Sequence, residues 1–178
     1  MLRDAGFVER CLPVTALATS RSVRYHICDP YLRFYYRFLA SRQSQLALGV
    51  QEQALTEIKR HLIDFIGTHT WEELCREWLI RVAGELGDRI GVDDSPMIDQ
   101  VGSIWNKHAQ VDVAGVNRMS RVLVLGECKW GMSPAGRKTL VDLVARAAKV
   151  VPPEKEWTVH FVGFGRSGWT SPASEYAG

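Results

Sequence analysis

Between residues 101 and 130 the chain carries three strand-like runs in close succession, VGSIWN, QVDVAGVN and RVLVLGECKW, joined by short polar turns. Short runs rich in valine, isoleucine and aromatics, bounded by glycine, asparagine and serine, read as strands. Before them, from about residue 30, apolar residues recur at helical spacing. After them, GRKTLVDLVARAAKVV reads as an amphipathic helix, with Leu140, Val144 and Ala147 or Ala148 inward, and Pro152-Pro153 stops it. WTVHFVGFG is one more strand, apolar enough to be expected buried on both faces. From residue 70 the order is helix, three strands, helix, strand. That order predicts a mixed sheet with helices packed on it, an α/β domain.

The first seventy residues are organised differently. LRDAG reads as the last turn of a helix with Gly6 after its C-cap, and FVERCLPV and VRYHI as a hairpin around the polar turn TALATSRS. Asp29-Pro30 has the N-cap and N1 residues of a helix that continues through YLRFYYRFLASRQ, with Leu32, Tyr35, Tyr36 and Leu39 as its apolar stripe and Phe34 and Phe38 widening it. A second helix is expected over 50–66, with Ala54, Leu55, Ile58, Leu62 and Phe65 on one side. A third starts after Thr70, where Thr70 and Glu73 fit a capping box. GDRIGVDDSP is rich in turn formers.

Composition excludes more than it selects. A formal charge of +2 over 178 residues does not announce a nucleic-acid partner. No apolar run approaches the ~18 residues that a bilayer span requires. MLRDAGFVERC has charges where a signal peptide would be apolar. The cysteines at 11, 28, 75 and 128 have neither C-x-x-C nor zinc spacing, so reduced thiols in a cytoplasmic protein are expected. His26, His61, His69 and His160 show no common spacing and receive no role.

The informative charges lie inside the strands. Alternation puts Glu127 and Lys129 on one face and Cys128 on the other, and Asp112 is the single charge in QVDVAGVN. Antiparallel neighbours would bring Asp112 beside Glu127, and two carboxylates at ~4 Å repel by ~4 kcal/mol at an effective dielectric near 20. A divalent cation between them would reverse that sign. Mg²⁺, or Mn²⁺, takes oxygen ligands from one or two carboxylates and leaves positions for water and phosphate. Asp112 and Glu127 would be the ligands, with the Cys128 backbone carbonyl as a third oxygen and Lys129 countering charge on a phosphoryl group. The same residues also read as a cross-strand ion pair, and the pattern leaves both readings open. Lys107 and His108, in the turn before the Asp112 strand, and Arg137, Lys138, Arg146 and Lys149, on the following helix, are candidate phosphate contacts or solvated surface.

The element order, with VD followed by ECK, resembles the PD-(D/E)XK nuclease superfamily and its restriction-endonuclease-like fold. AGFVERCLPV, RYHICDPYLRFYYRF, TWEELCREWL, VGSIWN with QVDVAGVN, LVLGECKW and GFGRSGWT resemble, in order, the C-terminal region of prokaryotic archaeal-type AAA+ ATPases. The resemblance implies the end of a winged helix and an aromatic linker helix over 1–48, then a nuclease-like domain over 49–178. It implies Asp112, Glu127 and Lys129 as catalytic residues, with Glu72 as the added glutamate and Glu73 next in line. It further implies DNA as a partner, and docking of helix 30–42 on the absent ATPase portion or on a homologous chain as a dimer. No G-x-x-x-x-G-K-[ST] loop is present, so no ATPase activity is expected, and the chain is expected to be a piece of a longer protein. Metal-dependent phosphodiester hydrolysis is the activity implied; the alternative is a domain that keeps the fold and only binds DNA or protein. Gln110 stands where relatives often carry an acidic residue, which would weaken metal affinity.

Overall fold

A computed structural model describes residues 2–87, 98–153 and 156–177. The turn-rich GDRIGVDDSP stretch lies outside them except for Gly87. The chain divides into two compact units, residues 1–11 with 23–70, and residues 12–22 with 71–178. Residues 49–70 therefore group with the first unit, where the sequence placed a boundary at 48.

In the first unit, Phe7 N–H donates to Leu2 O and Gly6 N–H to Arg3 O, with Gly6 at φ +75°. This is the paired hydrogen bonding of a helix C-terminus closed by a left-handed glycine. Strands β1 (Val8–Cys11) and β2 (Arg24–Ile27) pair antiparallel, with Val8 opposite Ile27. Helix α1 (Pro30–Phe34) starts as its sequence requires: the Asp29 carboxylate accepts the Leu32 N–H at 3.0 Å and Pro30 occupies the first turn.

A π-helical turn (Tyr35–Leu39), a 3-10 turn (Ala40–Arg42) and α2 (Gln43–Ala47) follow. Helix α3 (Gln51–Phe65) leads into a second π-helical turn, Ile66–Thr70. The expected aromatic stripe is buried at Phe38 and departs from expectation at Tyr36. Phe38 is the buried ring, packed between Phe34 at 5.1 Å and Phe65 at 5.3 Å, whereas Tyr36 is 63% exposed. Leu55 likewise points outward, and Ala54 is the buried residue of α3. Helical structure is continuous from Gln51 to Val82. Thr70 thus lies inside a π-helical turn and does not precede a free helix start as a capping box would require.

The second unit is built on a four-stranded sheet in the order β3-β4-β5-β6: Gln100–Trp105, Gln110–Asn117, Val122–Lys129 and Thr158–Gly165. The first three strands are antiparallel neighbours, and β6 runs parallel to β5. A parallel neighbour needs a crossover, and α5 (Arg137–Val150) provides it. One face of the sheet packs Val111, Ala114, Val116, Leu123 and Leu125 against Leu143, Ala147 and Val150 of α5. The other packs Val113 and Val124 against Cys75, Leu79 and Val82 of helix α4 (Trp71–Val82). The result is an α/β architecture with a mixed sheet between helices.

Two burial expectations fail here. Val144 is 40% exposed, because the inward stripe of α5 is Leu140, Leu143, Ala147 and Val150. Strand β6 is an edge strand with Phe161 39% exposed, so its apolar run does not mark burial on both faces. Helix α6 (Ser171–Ala177) closes the described chain. Residues 12–22 join this unit because Val14 N–H donates to Ser103 O at 2.9 Å and the Arg118 guanidinium binds the carbonyls of Val14, Thr15 and Ala16. Among the described residues no helix is long and apolar enough to cross a membrane.

Candidate functional site

A break in the β3–β4 ladder shapes the site. Gly102 pairs with Ala114 and Ile104 with Val111, so Asp112 and Val113 together oppose the single residue Ser103. This is a β-bulge, which re-aims a side chain and leaves backbone groups unpaired. Its trace is visible in the packing, since Val111 and Ala114, three residues apart, contribute to the same core. The Asp112 carbonyl accepts from the Ser103 hydroxyl at 2.8 Å and from the Arg76 guanidinium at 3.0 Å. Ser103 and Arg76 are themselves 3.0 Å apart, which ties α4 to the bulge.

On the other side, β4 and β5 are paired as far as Val113 opposite Gly126. The ladder stops there, short of Asp112 and Glu127, whose charges still interact. There the Cys128 N–H donates to the Asp112 carboxylate at 3.4 Å, and the Gln110 side chain donates to its other oxygen at 3.4 Å. Gln110 therefore shares the Asp112 side, as its spacing predicts. Gly126 suits this close approach, since a Cβ there would stand 3.0 Å from both Val113 and Phe164.

Glu127 is 4% exposed, the one buried charged residue among those described. Lys129 Nζ stands 2.6 Å from its Oε1 and Arg146 Nη2 2.5 Å from its Oε2. Arg146 also donates to the Gln110 carbonyl at 3.0 Å. Burial of a carboxylate demands such partners.

Glu72, in the first turn of α4, lies 3.6 Å from Arg76. Burial, with the Asp112 charge as the next cause, raises its pKa to about 7. Asp112 is raised as well, by burial first and then by the Glu127 charge, while its bonds from Cys128 and Gln110 pull the other way. Cys128 points to the opposite face, where a hydrogen bond with Cys75 and burial push its thiol pKa up. All four cysteines are free thiols.

The site thus brings Asp112, Glu127, Lys129 and Glu72 into one electrostatic neighbourhood. Lys107, Arg137 and Lys138 are not drawn into it. Lys107 is exposed in a turn that Asn106 organises by accepting from the N–H groups of His108 and Ala109. Arg137 lies over the Tyr176 ring at 4.9 Å, and Lys138 pairs with Asp142 at 2.6 Å. Trp105 is buried, and Trp130 packs on Trp71 with its ring centroid 5.1 Å away.

Arg76, given no role from the sequence, and Arg146, expected there only as a phosphate contact or solvated surface, are the partners of Glu72 and Glu127. Arg76 is four residues from Glu72, the spacing of a helical ion pair. Arg146 lies three residues after Leu143 and four before Val150, which places it at the edge of the inward stripe of α5.

A hard divalent cation fits the chemistry of this donor set. After burial, the Glu127 charge is the next cause of the raised Asp112 pKa, a repulsion that a cation between the two carboxylates would relieve. Among the described residues no three His, Cys, Asp or Glu groups form a ready metal cluster. The set is two carboxylates, which suits a cation that retains several waters. Lys129 and Arg146 compete for the same Glu127 oxygens.

The protein called uncharacterized protein MJECL04, from Methanocaldococcus jannaschii, is 24% identical to the chain over 129 residues. The match covers 72% of this chain and 27% of that protein, so the chain spans about a quarter of the length of this curated relative. No solved structure matches. A family model described as archaea bacterial proteins of unknown function, DUF234, matches residues 35–140, and the chain belongs to that family.

Proposed function

We propose that the chain is a nuclease-like, DNA-processing domain of a larger AAA+ ATPase, a metal-dependent phosphodiester hydrolase with the restriction-endonuclease-like fold of the PD-(D/E)XK superfamily. The observation that carries this reading is the electrostatic coupling of Asp112 to the buried Glu127 where the β4–β5 ladder ends, with Lys129 paired to Glu127. Asp112 and Glu127 would hold Mg²⁺ or Mn²⁺, with the Cys128 carbonyl as a further oxygen. Bound there, the cation would polarise a phosphoryl oxygen and acidify a water. Lys129, whose side chain is 44% exposed, can present its ammonium to an anionic phosphate oxygen. Glu72, with a pKa of about 7, exchanges a proton near neutrality and suits an accessory acid or base. The greater length of the archaeal relative supports a larger parent protein. In that parent, residues 30–42 would dock on the ATPase portion or on a second chain, in the cytoplasm, with the segment 1–28 as the end of a winged helix.

A second reading has its own support. Both oxygens of Glu127 already carry a cationic partner, Lys129 on one and Arg146 on the other. A domain that holds DNA or a partner protein without cutting needs no metal to satisfy this carboxylate.

The experiment is to offer linear and branched DNA with Mg²⁺ or Mn²⁺ to the wild type, Asp112→Asn and Lys129→Ala. Cleavage by the wild type alone supports the hydrolase. Retained DNA binding with no cleavage by any form supports the second reading.

A further inference from the structure

The first unit contains an open cavity of about 410 Å³, within the range of about 300–1,000 Å³ typical of small-ligand sites. It shares no residue with the carboxylate site. Three histidines without common spacing meet in it: His26 from β2, His61 from α3 and His69 from the second π-helical turn. The His26 and His69 rings meet edge to face at 6.0 Å. Arg33 and Arg37 line the same cavity, four residues apart. Like charges at that spacing on a helix repel, so helix stability does not account for the pair.

The lining includes two arginines, Arg33 and Arg37, and one carboxylate, Asp64. The nearby Glu57 is held by Arg60 at 3.3 Å, His61 at 3.2 Å and Arg42 at 3.9 Å. Arg37 and His69 belong to the two π-helical turns, and such turns recur at functional sites because they cost hydrogen-bond quality in exchange for side-chain placement. Tyr25 and Phe65 add planar apolar surface.

We propose that this cavity binds a phosphorylated small molecule of mononucleotide size, with its phosphate on Arg33 and Arg37 and its planar ring against Phe65 and Tyr25. Guanidinium groups match phosphate oxygens in charge and in fork geometry. Imidazoles in the same lining add donors, and the aromatic rings offer a stacking surface.

The test is calorimetric titration of the 178-residue chain with adenosine 5′-monophosphate, adenosine and inorganic phosphate, repeated on Arg33→Gln, Arg37→Gln and Arg37→Lys. The monophosphate should bind saturably and adenosine should not. Each glutamine variant should weaken binding about tenfold or more, with the lysine variant in between. In the wild type, the ring-proton resonances of His26, His61 and His69 should shift on saturation, a readout that does not depend on how the variants fold. Absence of monophosphate binding, equal binding by the glutamine variants, or unmoved histidine resonances would overturn the proposal. So would arginine-dependent binding of a short single-stranded oligonucleotide with no response to the monophosphate, which would assign the cavity to nucleic acid instead.

Discussion

Arg146 Nη2 stands 2.5 Å from Glu127 Oε2, the carboxylate oxygen that the Lys129 ammonium leaves unclaimed. A buried carboxylate at the end of a central strand is thus neutralised from a helix and from its own strand. The same clamp stabilises the fold and opposes a divalent cation, so stability and metal affinity are set against each other.

Arg146→Gln separates the two effects. Removing a charge-assisted bond to a buried carboxylate should destabilise the domain by about 1–3 kcal/mol, read from denaturant unfolding. The same change removes a competitor for Glu127, so Mn²⁺ should bind more tightly than to the wild type. Weaker binding in this variant would mean that Arg146 supports cation binding and does not oppose it.

The raised carboxylates predict a pH dependence with a definite sign. The Glu72 pKa rises from its ordinary 4.5 to about 7, so the folded state binds this proton more tightly than the unfolded chain. Its contribution to stability is complete below about pH 4.5 and is lost as pH rises through about 7. The raised Asp112 acts in the same direction. Thermal unfolding midpoints across this window should therefore fall less steeply with pH in Glu72→Gln than in the wild type. Arg76→Met should push Glu72 further up, because Arg76 is the partner that holds it down; a carboxyl-carbon titration by NMR reads this directly.

Ser103→Ala tests the bulge. The Asp112 carbonyl would keep its bond from Arg76 and lose the one from the hydroxyl. The expected cost is about 1 kcal/mol, with the sheet intact. A larger loss, together with altered Asp112 titration, would show that the hydroxyl sets the bulge geometry.

Much of the second unit is legible in the sequence because period-two runs bounded by turn residues leave little choice of element. The common face of Glu127 and Lys129 follows from the same alternation. The bulge does not follow from alternation alone: Val113 and Ala114 are adjacent apolar residues in QVDVAGVN, and the slip becomes definite only when the strand pairs with Gly102, Ser103 and Ile104. The clamp by Arg146 depends on α5 crossing the face that carries Glu127, a tertiary fact. The exposed Tyr36 and buried Phe38 show the limit of helical spacing where aromatics crowd every position and the helix itself departs from 3.6 residues per turn. The Thr70 capping box fails for a related reason: cap-like residues signal a helix start only where the preceding turn is not helical. The three-histidine cavity is assembled from a strand, a helix and a π-helical turn, and no sequence spacing could announce it.

Calorimetric titration of Mg²⁺ and Mn²⁺ into the wild type, Asp112→Asn and Glu127→Ala tests the central claim most directly. Saturable binding by the wild type, lost in both variants, is the expected result, with proton release near neutral pH because a neighbouring cation lowers the Glu72 pKa from about 7. Absence of binding by the wild type, or binding that survives in both variants, would contradict the claim that these two carboxylates form a cation site.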